Sequence, residues 1–234
     1  MKHQAELQII FKELGCKLSP ESVSTGDSEA ILNFLKQESE ARKDHRLTRL
    51  FLSCGIPKHQ IRSLEQLDWD FNSKIPKQEI LAFRNSSWIE QAKNLVLIGD
   101  PGLGKTHIAK SLCHDAIRKG HSTYFISAFD LISKIKRANN PVNSIEHYGK
   151  NIRVLCIDEL GYTVHSKEDT DILFQIFSKR SENLPTLLTT NLSPKNWGAI
   201  FTGPAASAIL DRLSDKGTFL AWEGKSYRVH KSKI

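Results

Sequence analysis

The sequence has little cysteine and no long hydrophobic run. Its four cysteines, Cys16, Cys54, Cys113 and Cys156, include no C-x-x-C pair. This spacing argues against a zinc site, and we expect four reduced thiols. No apolar run approaches the ~18 residues of a membrane span, and residues 1–6 lead into no signal-peptide core. We therefore expect a cytoplasmic protein with no membrane partner.

The overall composition is that of an ordinary globular protein. Hydrophobic residues make up 39% of the 234 residues and charged residues 25%. This length suits one large domain, or a small domain followed by a medium one. The formal net charge of +7 suits a nucleic-acid partner, although a basic solvated surface would give the same charge.

The most informative motif is a phosphate-binding P-loop of the form G-x-x-x-x-G-K-[ST]. Its glycines let the backbone turn its N–H groups toward phosphate oxygens, Lys105 supplies a positive charge, and the Thr106 hydroxyl can ligate Mg²⁺. A strand-like run precedes the loop and a helical pattern follows it, as the motif requires. The predicted nucleotide-binding residues are Gly99, Asp100, Pro101, Gly102, Leu103, Gly104, Lys105, Thr106 and His107.

Two carboxylates follow a second apolar strand and complete the predicted site. Asp158 stands at the tip of this strand, where it can hold Mg²⁺ opposite Thr106. Glu159 is the better candidate for polarising an attacking water, which favours hydrolysis over phosphoryl transfer. Asn191 closes the next strand and, if that strand lies between the other two, would point between the P-loop and Asp158. An asparagine in this position is also a common turn residue.

The pattern of the chain predicts two domains. Residues 1–67 read as a small all-helical domain, in which Leu7, Ile10, Phe11 and Leu14 have helical spacing. A linker near residues 68–76 leads to a second domain, 68–234, in which helices and strands alternate. This alternation predicts an α/β fold with a parallel sheet flanked by helices. The predicted strands cover residues 94–98, 122–126, 153–157, 186–190 and 218–222, and the predicted helices cover residues 77–91, 105–118, 128–138, 168–181 and 205–215.

Basic residues cluster at two places that could contact DNA. Both sets could bind phosphates without reading bases, and a solvated helix surface is the alternative for each. The candidates are Lys43, Arg46 and Arg49 in the N-terminal region and Lys134, Lys136 and Arg137 after the second strand.

A single arginine marks the polar face of the last long helix. Arg212 could stabilise charge on the nucleotide of a neighbouring subunit. A surface ion pair with Asp211 or Asp215 is the more ordinary interpretation of these residues.

In their order, these motifs resemble the IstB family of AAA+ ATPases, the helpers of insertion-sequence transposition, and more loosely the DnaC helicase loaders. The resemblance runs from about Trp69 to Arg228 and rests on GDPGLGKTH, VLCIDELGY, TTNL, NWGAIF and ILDRL. It implies an AAA+ P-loop NTPase core with a five-stranded parallel sheet and no separate helical lid, preceded by the helical N-terminal domain. Asp100, Leu103 and the Thr189-Thr190 pair depart from commoner family residues at permissive positions.

The same resemblance assigns roles and partners. It implies ATP and Mg²⁺ as cofactors, Asp158 and Glu159 as the hydrolytic pair, and Asn191 as a sensor. It further implies that Arg212 is an arginine finger acting across a subunit interface, and that Arg228 is a late arginine near the nucleotide. Family members form ATP-dependent oligomers that hold duplex DNA and recruit a transposase.

Two other functions are compatible with these residues. A helicase loader would prefer single-stranded DNA and bind a replicative helicase. A nucleotide-gated scaffold would use ATP only as an assembly ligand, which Glu159 makes less favoured.

Overall fold

A computed structural model describes residues 2–24, 26–162, 164–201 and 205–231. The chain forms two compact units, Met1–Arg49 and Leu50–Ile234. All four cysteines are free thiols, as expected. In the described part of the chain, no helix is both long and apolar enough to cross a membrane.

The smaller unit is helical. It contains α1 (Lys2–Leu14), a 3₁₀ turn (Pro20–Ser22) and most of α2 (Ser28–Ser53). Leu7, Ile10 and Phe11 are buried against Leu32, which confirms the apolar stripe predicted for the first helix. Gly15 follows α1 with a φ of 66°, the left-handed conformation that ends many helices.

The larger unit is built on a five-stranded parallel sheet, as predicted. Its strand order is β2-β3-β4-β1-β5, so β4 lies between β1 and β3. Every residue of β1 and β4 is buried, because helices cover both faces of the sheet. The strands are β1 (Asn94–Ile98), β2 (Thr123–Ser127), β3 (Val154–Leu160), β4 (Thr186–Thr190) and β5 (Gly217–Ala221).

The helices of this unit pack two hydrophobic cores against the sheet. The residues predicted to form one helix, 77–91, form two short helices. Asn85 accepts hydrogen bonds from the Ser87 amide and hydroxyl, and these bonds interrupt the helix.

A helix at residues 141–146 and the π-helical turn after it were not predicted. The helices are α3 (Lys77–Ala82), α4 (Ser87–Glu90), α5 (Lys105–Arg118), α6 (Ala128–Lys136), α7 (Pro141–Glu146), the π-turn (His147–Asn151), α8 (Lys167–Arg180), α9 (Ala205–Ser214) and α10 (Tyr227–Lys231); 3₁₀ turns span Lys58–Gln60, Leu64–Gln66 and Pro194–Ala199.

Residues 50–67 pack with the larger unit, although the sequence pattern placed them in the N-terminal domain. Cys54, Ile56 and Leu64 are buried in the core that also contains β1 and α5. The Phe125 amide donates a 2.8 Å hydrogen bond to the Cys54 carbonyl at the edge of β2. The compact units therefore divide earlier than the sequence division at residue 67, because apolar residues after α2 complete the core of the larger unit.

Arg180 is a buried cation at the end of α8. Its guanidinium donates to Thr186 Oγ1 and to the carbonyls of Tyr148, Ile152, Arg153 and Pro185 at 2.6–3.2 Å. No carboxylate of the described residues pairs with it, and burial lowers its pKa to about 9, so it remains charged at neutral pH. One side chain thus joins the π-turn to the starts of β3 and β4.

Arg180→Met is expected to destabilise the protein by about 3–5 kcal/mol, because three buried carbonyls and one partly buried carbonyl would lose their donor. The midpoint of thermal unfolding, followed by circular dichroism, should fall by roughly 10 °C. Arg137→Met, at an exposed position on the end of α6, is the matched control and should stay within about 0.5 kcal/mol. Equal midpoints for the two variants would contradict this role for Arg180.

Candidate nucleotide-binding site

The loop between β1 and α5 presents a row of unpaired backbone donors. Gly102 and Gly104 have φ values of 85° and 87°, and this left-handed backbone turns successive N–H groups in one direction. Within the described residues, the amides of residues 102–106 donate to no protein acceptor. The loop lines a cleft of about 220 Å³ at the start of α5, where the helix dipole also favours an anion.

Lys105 places its ammonium group inside this loop. Its side chain is 8% exposed, and Nζ donates to the carbonyls of Gly99 and Asp100 at 2.6 and 2.9 Å. Burial lowers the pKa of Lys105 from its usual value. A poorly solvated ammonium group beside free amides is suited to bind a phosphate, whose oxygens would replace the two carbonyls.

Thr106 and Asp158 face each other across the end of the sheet. Thr106 Oγ1 lies 3.1 Å from both carboxylate oxygens of Asp158, which is itself 6% exposed. A hydroxyl and a carboxylate are the hard oxygen ligands that Mg²⁺ takes when it keeps most of its waters. Two protein oxygens suit a Mg²⁺ ion that takes its other ligands from phosphate and water. Among the described residues, no group of three or more acidic, His or Cys side chains could hold a metal ion.

Glu159 has a strained backbone conformation, and its side chain is exposed whereas that of its neighbour Asp158 is buried. Ile157 pairs with Leu188 and Leu160 with Thr190, so two residues of β3 lie opposite the single residue Thr189. This β-bulge gives Glu159 a φ of 61°, rare for a non-glycine residue. Glu159 is exposed and lines the cleft, where its carboxylate can accept a proton.

Thr189 contacts both acidic residues of the site, although the sequence analysis gave it no role. Its hydroxyl donates to Asp158 Oδ1 at 2.5 Å and accepts from the Glu159 amide at 3.0 Å. One side chain therefore holds both acidic residues in place, and it also lines the cleft. The only sequence signal was a polar pair ending an apolar strand.

Asn191 lies just beyond β4, between the strands that carry the P-loop and Asp158, as its position in the sequence predicted. Its Oδ1 is buried without a hydrogen-bond partner among the described residues and approaches Gly161. The side chain borders a neighbouring cleft that also contains Gly99 and Asp100. Its sensor role remains a prediction.

The two predicted arginines occupy different places. Arg228, on α10, lines the cleft, and the Tyr227 amide ties α10 to the Gly102 carbonyl at 3.0 Å. Arg212 is not among the lining residues: its Nη1 donates to the Ala208 carbonyl at 3.1 Å and its guanidinium stacks 4.7 Å from the Phe174 ring. His107 lines the cleft with Nε2 3.0 Å from the Ser63 carbonyl.

An apolar wall of the cleft comes mainly from the segment treated as a linker in the sequence. Phe71, Asn72 and Ile75 of this segment line it, together with Leu67 just before the segment and Tyr227 on α10. The rings of Phe71 and Tyr227 meet edge to face at 5.1 Å. This wall is apolar and aromatic, whereas the P-loop side is polar, so the cleft suits a ligand with a flat ring and a phosphate tail.

The candidate DNA contacts on α6 are largely engaged within the protein. Lys134 donates to the Tyr124 hydroxyl at 2.6 Å, a bond that raises its pKa. Lys136 forms ion pairs with Asp169 at 2.6 Å and Glu168 at 3.0 Å, which raise its pKa. Arg137 is exposed, with no side-chain partner among the described residues.

In the smaller unit, the candidate DNA contacts lie on α2. Lys43 forms a 2.7 Å ion pair with Glu13. Arg46 and Arg49 are exposed, and each interacts with other residues of the chain.

Comparison with known proteins identifies the family. The family model described as "IstB-like ATP binding protein" matches residues 10–234. The chain belongs to this family. It is 36% identical over 205 residues to a protein of Bacillus thuringiensis subsp. berliner named for ATP binding in insertion sequence IS232, an alignment covering 86% of this chain and 81% of that protein. A Geobacillus stearothermophilus protein named likewise for insertion sequence IS5376 is 30% identical, with 88% and 83% covered.

Solved structures confirm the AAA+ fold of this IstB-like chain. DnaI superposes with a TM-score of 0.61 at 20% identity, over 74% of this chain and 95% of DnaI. The DnaC helicase loader superposes with a TM-score of 0.54 at 23% identity, over 62% and 86% of the two chains. The family and fold that the motifs implied are therefore confirmed.

Proposed function

We propose that this IstB-like protein is a DNA-binding ATPase that assists insertion-sequence transposition. The observation that carries the proposal is the convergence of free P-loop amides, Lys105, the Thr106–Asp158 pair and Glu159 on one cleft. Membership of a family named for ATP binding, and relatives named for insertion sequences, support the ligand and the pathway.

ATP would lie with its phosphates on the loop and Mg²⁺ beside Thr106 and Asp158. The amides of residues 102–106 and Lys105 would bind phosphate oxygens, and Arg228 lines the same cleft. Bound Mg²⁺ would neutralise charge on the phosphates. Thr189 holds Asp158 through its hydroxyl, so the metal ligand would be oriented before nucleotide arrives.

Hydrolysis would depend on Glu159. Its carboxylate can accept a proton from a water molecule that attacks the terminal phosphate. Asp158 is buried beside Thr106 whereas Glu159 is exposed in the cleft, so one acid can hold the metal while the other remains free. Asn191, at the end of the neighbouring strand, would orient the water or the phosphate.

The proposal includes an assembly on duplex DNA in the cytoplasm. Arg212 lies outside the cleft of its own chain, so a homo-oligomer formed with ATP would bring it to a neighbour's nucleotide. The net charge of +7, with Arg46, Arg49 and Arg137 exposed, supports sequence-independent phosphate contacts, and a transposase would be the protein partner.

The first test is whether ATP-dependent assembly on DNA requires the P-loop lysine. Lys105→Ala is expected to abolish ATP binding and the ATP-dependent part of duplex binding, measured by sedimentation of labelled DNA with and without ATP. Lys119→Ala, an exposed lysine after α5, is the control and should behave as the parent. Assembly by Lys105→Ala at the parent's ATP concentration would disprove the coupling.

A second measurement separates the alternatives. Steady-state ATP hydrolysis should be stimulated by duplex DNA, and the stimulation should fall steeply as salt is raised. Stimulation by single-stranded DNA alone would favour a helicase loader. Assembly without turnover under any condition would favour a nucleotide-gated scaffold.

A further inference from the structure

Asn72 is a buried polar side chain without a partner for its amide group. It is 7% exposed, and its Nδ2 makes no hydrogen bond among the described residues. Buried polar atoms are nearly always hydrogen-bonded, so an unpaired donor in a binding cleft suggests a missing ligand. Asn72 lines the same cleft as the P-loop, on its apolar wall.

The surrounding backbone holds this amide in place. The Ile75 amide donates to the Asn72 carbonyl at 3.1 Å, and the Phe71 amide donates to Asp68 Oδ1 at 3.0 Å, so Asn72 sits in a fixed turn. On the other side, a Cβ added at Gly224 would lie 2.0 Å from Nδ2, so only glycine leaves room for the asparagine. An amide held this way can discriminate between ligands, because it loses little freedom on binding.

The residues near Asn72 define the chemistry of the missing ligand. Leu67, Phe71 and Ile75 provide an apolar surface, and Tyr227 adds an aromatic ring. A flat ring that also carries a hydrogen-bonding edge satisfies both the apolar wall and the amide. A primary amide matches the adjacent acceptor N7 and donor N6 of adenine, whereas guanine presents two acceptors, N7 and O6, on that edge.

We propose that Asn72 selects the adenine base, with its Nδ2 donating to N7 and its Oδ1 accepting from the N6 amino group. This inference rests on the proposed nucleotide function and adds the base specificity of the cleft.

The experiment compares ATP, GTP and 7-deaza-ATP, which lacks the N7 acceptor, by calorimetric titration of the full chain. The parent should bind ATP about tenfold more tightly than 7-deaza-ATP, the cost of losing one buried hydrogen bond, and at least about tenfold more tightly than GTP, whose O6 acceptor would face the Asn72 Oδ1 acceptor. In Asn72→Asp the donor is lost, so the affinity for ATP should fall, and ATP and 7-deaza-ATP should bind about equally tightly. Asn143→Asp, at an exposed position on α7, is the control and should keep the tenfold preference.

The outcomes separate this inference from the proposed function. Equal binding of ATP and 7-deaza-ATP by the parent, a result that needs no variant, would overturn the role of Asn72 while leaving an ATP site. A tenfold preference retained in Asn72→Asp would overturn it as well. Failure of the parent to bind any of the three nucleotides would overturn the ATPase proposal and the inference together.

Discussion

Glu159→Gln is expected to lower the rate of ATP hydrolysis by about a hundredfold or more, because a general base in this role contributes at least that much. The amide has the shape of the carboxylate but cannot accept the proton of water. ATP binding should be unchanged, since the phosphate ligands and the Thr106–Asp158 pair stay intact. Phosphate release and nucleotide titration, measured on the same preparation, check the two halves of this expectation.

The control for this variant is Glu90→Gln, which changes an exposed acid on α4. It should hydrolyse ATP at the parent's rate. DNA complexes formed by Glu159→Gln with ATP should also persist longer than those of the parent, because hydrolysis would no longer dismantle them. Parent-like turnover in Glu159→Gln would mean that another group activates the water.

The variant Glu159→Gly separates the effect of the side chain on ATP hydrolysis from the effect of the backbone conformation on stability. Because Glu159 has a φ of 61°, Glu159→Gly should relieve about 1 kcal/mol of backbone strain and raise the unfolding midpoint. Its hydrolysis should be as slow as that of the glutamine variant. A variant that is more stable and yet inactive would show that the strain serves the position of the carboxylate.

The sequence predicted the parts of this site that depend on local pattern. The runs that became β1 and β4 are apolar throughout because helices cover both sheet faces, so their bounds could be read directly. The P-loop was predictable for a similar reason, because the glycines and the lysine that would bind phosphate are close together in the sequence. Asp158 and Glu159 were placed at a strand end, and the structure puts both there.

The residues that were missed act through contacts distant in sequence. Thr189 matters because the β-bulge brings it to Asp158 and Glu159, and a bulge has no signature in an apolar strand. Asn72 looked like part of a linker, because the sequence does not show that its side chain packs against the distant Gly224. Arg180 looked like an ordinary basic residue at a helix end, but its partners come from the π-turn and two strand starts.

Arg212→Ala is expected to reduce ATP hydrolysis of the assembled protein by about a thousandfold, the lower range for loss of an arginine finger. Nucleotide binding by the single chain should be preserved, because Arg212 stacks on Phe174 and is absent from the lining of its own cleft. Lys216→Ala, an exposed cation just after α9, is the control and should retain turnover. Turnover per site should be measured with saturating duplex DNA.

Mixing variants tests whether Arg212 acts on a neighbour. In an equal mixture of Arg212→Ala and Glu159→Gln chains, some interfaces join the intact cleft of the first chain to the intact arginine of the second. In a head-to-tail assembly about a quarter of the interfaces are of this kind, so turnover should recover to about a quarter of the parent's. If Arg212 served only its own chain, no chain in the mixture would contain both Arg212 and Glu159, and the mixture would stay as inactive as its components. The recovered fraction thus reports directly on whether one ATP is shared by two subunits.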